Sequence, residues 1–140
     1  MAGKSNIEIR AIQSWRAAGI RELYEAAGWW HADGDEAEIA PLILGSFCFA
    51  VALVDERLVG MGRVLSDGVS DAYIQDVVVL PEFRGRHVGA DIIRFLVEQC
   101  SKAGLTWIGL VAEPGTVPFY ERLDFVPLEG HTPMRYRRKD

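Results

Sequence analysis

The 140-residue chain predicts a mixed α/β fold, a single domain over residues 1–140 with a mixed sheet and helices on both faces. Three observations carry this. Ala72 to Leu80 reads as a buried strand that runs into a glycine loop, a long helical pattern and a further apolar strand ending near Val111. A crossover that long joins parallel neighbours. Phe47 to Val54 and Leu58 to Leu65 flank the turn Asp55-Glu56-Arg57, which makes an antiparallel hairpin. Apolar residues are 49% of the chain and charged residues 25%, an ordinary globular balance in a chain long enough to bury a core.

The elements follow in order. Ile7, Ile9 and Ala11 alternate with polar residues as a first strand. Ser14 is placed to cap a helix from Trp15, with Ala18, Leu23 and Ala26 inward, and Gly28 ends it. Trp29, Trp30 and His31 form a loop. Asp33-Gly34-Asp35 opens a short helix to Leu44, which Pro41 threatens to kink. The hairpin strands come next, with Gly60 and Gly62 weakening the second. Val88, Ile92, Leu96, Cys100 and Ala103 recur at helical spacing and Gly104 stops them. Leu105 to Val111 is a strand and Thr116 to Leu123 a short helix. Phe125 to Leu128 and Thr132 to Arg137 read as final strands, before a basic, frayed end.

Bulk properties exclude several classes of function. A net charge of −5 argues against nucleic acid as a partner, because phosphate binding needs a basic face. No apolar run could span a bilayer, and MAGKSNIEIR lacks the apolar core of a signal peptide, so a cytoplasmic protein without a membrane partner is expected. Cys48 and Cys100 sit in apolar patterns as inert thiols. His31, His87 and His131 are too scattered to hold a metal, so none is expected.

The chemistry concentrates at Val77 to Ala90. Val77, Val78, Val79 and Leu80 stop at Pro81, and Arg84-Gly85-Arg86-His87-Val88-Gly89-Ala90 leads into the long helix. The first N–H groups of a helix lack internal partners and the dipole favours negative charge there. Arg84 and Arg86 add full charges suited to phosphate. The dinucleotide fingerprint needs three spaced glycines, which this loop lacks. The only Gly-Lys-Ser, at Gly3-Lys4-Ser5, has no strand before it and is read as chance.

This loop resembles the acetyl-CoA signature of the GNAT superfamily of N-acetyltransferases: Gln or Arg, two residues, Gly, one residue, then Gly or Ala. Arg84 fills the first position and Gly89 the last, with His87 in place of the usual glycine. A second stretch, Phe119-Tyr120-Glu121-Arg122-Leu123-Asp124-Phe125, is similar to the Phe-Tyr-Glu-basic-x-Gly-Phe near the C-terminus of many members, with Asp124 for glycine. Glu113 and Thr116 stand where the family often has asparagine and alanine.

The resemblance implies a mostly antiparallel sheet that splays between two central strands to admit a pantetheine arm. It implies acetyl-CoA as co-substrate, held by Val77, Val78, Val79, Arg84, Gly85, Arg86, His87, Val88, Gly89, Ala90 and Phe119. It implies Tyr120 as the acid for the departing thiolate, and a homodimer, a form common in the family. An alkylammonium must lose a proton before it attacks. Asp76, at the head of a run that is apolar from Val77 on, is the candidate base or ammonium partner, directly or through water. Tyr73 and Gln75 alternate onto the opposite strand face from Asp76, so one of these two sets faces the acceptor. Trp29 and Trp30, which as neighbours should point apart, offer one ring to the core and the other to an aromatic acceptor wall, with Tyr73 as a further substrate contact. The expected reaction is direct acetyl transfer to a primary amine of a small molecule. The competing readings are acetylation of a protein amine and a non-catalytic acyl-CoA sensor.

Overall fold

The computed structural model describes residues 6–139, which form two compact units divided after Leu110. Gly3-Lys4-Ser5 lies outside the described residues. The first unit holds β1 (Ile7–Ile12), α1 (Ala17–Ala26), α2 (Ile39–Gly45), β2 (Cys48–Val54), β3 (Arg57–Ser66), β4 (Asp71–Val79), α3 (Val88–Lys102) and β5 (Trp107–Gly109). The second holds α4 (Val117–Glu121).

The sheet runs β1-β2-β3-β4-β5. All pairs are antiparallel except β4 with β5, which is parallel. β2 is buried along its whole length, which its uninterrupted apolar run foretold. Asp55 and Glu56 both take left-handed backbone (φ 48° and 70°) between Val54 and Arg57, the conformation that a two-residue hairpin turn demands.

Gly60 and Gly62 mark the close approach of α3. A Cβ on Gly62 would lie 2.9 Å from Ile92 and 3.1 Å from Leu96. Ile92, Ile93, Leu96 and Cys100 form the buried stripe of α3. α1 packs on β3 and β4 from the opposite face, with Ile20, Leu23 and Tyr24 buried. Ala18 and Ala26, expected inward, are exposed. The helix also starts later than expected, because Arg16 and not Ser14 holds the N-cap position. Trp15 instead lies under the Arg10 guanidinium, 5.5 Å from the ring centroid. Pro41 sits in the first turn of α2, where its missing N–H costs no helical bond.

The parallel pairing of β4 is short. Only Asp71, Ala72 and Tyr73 meet β5, opposite Trp107, Ile108 and Gly109. From Ile74 to Val79 this edge of β4 has no strand beside it among the described residues, which is the opening the resemblance implied.

The two expected final strands are absent. Residues 125–139 of the second unit carry no strand, and Val126, Leu128, Met134 and Tyr136 are exposed. Alternation makes a strand only where a neighbour pairs the backbone and covers one face, and these side chains have neither.

Candidate active site

A β-bulge organises the site. Met61 pairs with Val78 and Arg63 with Gln75, so Gly62 alone faces two residues, Asp76 and Val77. Asp76 takes the left-handed conformation, φ 57°, which aspartate tolerates better than most side chains but still adopts at a cost. The extra residue also shifts the side-chain alternation by one position. Tyr73 and Gln75 lie on one face, opposite Leu65 and Arg63 in the ladder. The bulge turns Asp76 onto that same face. The expectation that Asp76 and the Tyr73/Gln75 pair point to opposite sides is corrected, because strict alternation holds only in a strand without a bulge.

Asp76 is clamped through one oxygen. Its Oδ2 accepts a hydrogen bond from the Tyr24 hydroxyl at 2.7 Å and another from Arg63 Nε at 2.8 Å. Arg63 also donates from Nη1 to Ser46 Oγ and from Nη2 to Gln75 Oε1, both at 3.5 Å. Ser46 Oγ in turn donates to the Leu42 carbonyl at 2.8 Å, so α2 joins the network. Asp76 Oδ1 has no hydrogen-bond partner among the described residues. The Asp76 side chain is 23% exposed, enough for solvent or a ligand to reach it. Burial, and then the Asp76 carboxylate, push the Tyr24 hydroxyl well above the usual phenol range, so it stays a donor at neutral pH.

Tyr24 also gathers the tryptophans. Gly28 ends α1 with φ 77°, and the Trp29 N–H returns to the Tyr24 carbonyl at 2.9 Å. That closure brings both Trp29 and Trp30 within 6.5 Å of the Tyr24 ring, centroid to centroid. Both are half-buried. The expected division, one ring in the core and one in a wall, does not occur, because the reversal of the chain turns both toward one tyrosine. One face of Trp30 is covered by Arg21, 5.3 Å from the centroid and paired with Glu25 and Glu36.

The glycine loop builds on backbone. A short 3-10 turn over Pro81–Phe83 follows β4. Gly85 then adopts φ 78° and His87 φ 65° immediately before α3. The family's usual glycine at position 87 is thus explained by a left-handed backbone, and histidine is among the side chains that tolerate it better than most. The first helical bond closes from the Asp91 N–H to the His87 carbonyl, so the N–H groups of Val88, Gly89 and Ala90 precede the ladder. Arg84 folds back, donating from Nε to the Val79 carbonyl at 3.2 Å, which ties the loop to the end of β4. Arg86 lies over Phe83, 5.2 Å from its centroid.

In the second unit the Tyr120 ring meets Phe119 at 4.9 Å and Phe125 at 5.8 Å, each edge to face. Burial, and then the Glu113 carboxylate, raise the Tyr120 hydroxyl above its ordinary pKa. Asp124, where the family has glycine, is left-handed at φ 70°. The thiols are held inert by burial, Cys48 being pushed up to about 11.

Tyr24 and Arg63 are the site residues that sequence reasoning missed. Arg63 carried a signal, a lone charge between buried neighbours in a strand. Tyr24 carried only its helical spacing from Ile20, which a core residue shows equally. A groove of about 750 Å³ lies elsewhere in the first unit, bordered by Ile12, Ile43, Phe47, Cys48, Gln99 and Lys102. It sits at the C-terminal end of α3 and contains none of the predicted site residues.

The short β4–β5 pairing, the bulge and the glycine loop before α3 together describe a mixed α/β fold opened at one edge of β4. The chain belongs to the GNAT acetyltransferase family, which it matches over residues 11–125. It is 32% identical to the uncharacterised N-acetyltransferase ycf52 of Pyropia yezoensis over 112 residues, 76% of this chain and 63% of that protein. The chain therefore spans slightly less than two thirds of that relative's length. Its fold is similar to that of a GNAT family acetyltransferase from Streptococcus pneumoniae, with a TM-score of 0.82 and 22% identity over 96% of this chain and all of the other. It is also similar to AAC(6′)-Iy bound to a bisubstrate analogue, CoA-S-monomethyl-acetylneamine, with a TM-score of 0.72 and 18% identity over 97% of this chain and 100% of that one. Among the described residues no helix is long and apolar enough to cross a membrane.

Proposed function

We propose that the protein transfers an acetyl group from acetyl-CoA directly to the primary amine of a small molecule, within a ternary complex. One observation carries the reading: the opened edge of β4 leads straight into a left-handed glycine loop at the N-terminus of α3. These residues fit the co-substrate. The early N–H groups of α3, with Arg84 and Arg86, suit a pyrophosphate. The unpaired edge at Val77, Val78 and Val79 suits an extended pantetheine chain, which adds to a sheet edge as a strand would. Acetyl-CoA supplies the activated acetyl group as a thioester.

The chain's own groups divide the remaining work. Asp76 Oδ1, the oxygen without a partner, takes the ammonium proton directly or through water, or holds the ammonium in place. Tyr120 holds a proton for the departing sulfur, and its raised pKa keeps that proton in place at neutral pH. Tyr24, flanked by Trp29 and Trp30, makes an aromatic surround beside Asp76, suited to an amine with an apolar body, and Tyr73 on the same strand face is a further acceptor contact. His87 and Asp124 preserve the left-handed backbone that glycine supplies in the family, so neither departure favours a non-catalytic sensor. The reading also places the enzyme in the cytoplasm, on its ordinary globular composition, and allows a homodimer.

The test is a thermal shift with acetyl-CoA, followed by thiol release with a panel of small amines and lysine peptides. Ligand at 100 times its dissociation constant should add about 2.7 kcal/mol of stability. No shift, in folded protein free of CoA, rejects the reading. Turnover of the peptides alone replaces the small-molecule acceptor with a protein amine.

A further inference from the structure

We propose that Tyr24 and Arg63 are positioning residues for acyl transfer: together they clamp Oδ2 of Asp76 at the β4 bulge, so that Oδ1 is presented to the acceptor amine. The proposal rests on the acetyltransferase reading above and assigns roles to two residues outside it.

Three observations converge. The first is the asymmetry of the carboxylate. An arginine often grips both oxygens of a carboxylate as a fork. Here Arg63 gives Asp76 a single N–H, at 2.8 Å, and sends its other two nitrogens to Ser46 and Gln75. Tyr24 adds its hydroxyl to the same oxygen at 2.7 Å. Both donors leave Oδ1 with its full accepting capacity.

The second observation is the backbone. Asp76 is the bulge residue and is left-handed. Such strain persists where the surroundings over-determine it. The surroundings here are donors from α1 and β3, with Ser46 after α2 holding the arginine in turn. Releasing them would let Asp76 relax and would move Val77 to Val79, the stretch proposed to meet the thioester arm.

The third is reach. The ring that donates to Asp76 is also the ring that Trp29 and Trp30 flank. Tyr24 therefore fixes the distance between the aromatic surround and the proton-accepting oxygen. An acceptor packed on the rings arrives with its amine at a set place relative to Oδ1, which is how positioning raises a rate without touching the reacting atoms.

The experiment is a double-mutant cycle of Tyr24→Phe and Asp76→Asn, read as steady-state kinetics with the best amine of the panel. Tyr24→Phe keeps the ring and removes one donor. It should lower kcat/KM for the amine on the order of tenfold and have no further effect once Asp76→Asn is present. Additive losses, or wild-type kcat/KM in Tyr24→Phe, would overturn the proposal. A second measurement needs no acceptor: hydrogen exchange at the amides of residues 76–79. Faster exchange in Tyr24→Phe supports the clamp, and unchanged exchange overturns it, whether or not any amine is turned over. Failure of the acetyltransferase reading would show separately, as wild-type protein that neither binds acetyl-CoA nor releases thiol.

Discussion

The two ends of the candidate site are built by different means. At the bulge, position is set by side chains: Tyr24, Arg63, Gln75 and Ser46 converge from separate elements on or around one carboxylate. At the glycine loop it is set by backbone: Gly85 and His87 are left-handed, and the Arg84, Arg86 and His87 side chains are exposed. The difference matches what each end is proposed to hold. A pyrophosphate is large and doubly charged, and oriented N–H dipoles hold it with modest precision. A proton acceptor must be placed to within a fraction of an ångström, which requires a locked rotamer and supporting bonds.

This contrast predicts that substitutions at the two ends fail in different ways. The largest effect is expected from Asp76→Ala. It should lower amine acetylation by roughly 10²–10⁴-fold while keeping the acetyl-CoA thermal shift, whereas Arg84→Ala should shrink that shift. Equal loss of both properties in either variant would erase the distinction. Next is Gly62→Val, opposite the bulge. Its Cβ would meet Ile92 at 2.9 Å, so overpacking should cost about 1–3 kcal/mol in urea unfolding.

Alkaline pH should separate the ends further. The folded Tyr24 pKa lies above that of the unfolded phenol, near 10. Its contribution is therefore intact below about pH 10 and is lost above it, as the unfolded chain ionises first, by up to about 1.4 kcal/mol per pH unit. Tyr24→Phe should flatten that part of the stability curve, and no loop substitution should. Gly85→Ala comes next. Nothing lies within 4 Å of the added methyl, so only the left-handed backbone resists it, by about 1–2 kcal/mol. His87→Gly should change stability least, because relief of its φ is offset by about 0.4–1 kcal/mol of extra freedom in the unfolded chain.

The same contrast governs what could be read in advance. The loop was readable because its signals are local: two arginines, Gly85, and a helical pattern that begins at Val88. The hairpin, the crossover and the stripe of α3 were readable for the same reason, since each is a period or a turn within one stretch of chain. The bulge left only a faint local mark, the two glycines of β3. Val77 to Leu80 reads as an unbroken strand, and nothing in it says that Gly62 faces two residues rather than one. Tyr24 is 52 residues from Asp76 and Arg63 is 13 away, so their bonds exist only once α1, β3 and β4 are packed. The terminal stretch failed the other way. Its alternation is real, but alternation cannot supply the neighbour that a strand needs.

By itself, then, the sequence determined the mixed sheet, the parallel crossover at β4, the glycine loop that leads into α3 and the resemblance to an acetyltransferase family. Each of these follows from side-chain periodicity and from backbone preferences of single residues. Tertiary structure alone decided which way Asp76 points, that both tryptophans flank Tyr24, and that residues 125–139 form no strand. Those outcomes depend on register and on partners distant in the chain, and a register shift of one residue reverses every side chain beyond it.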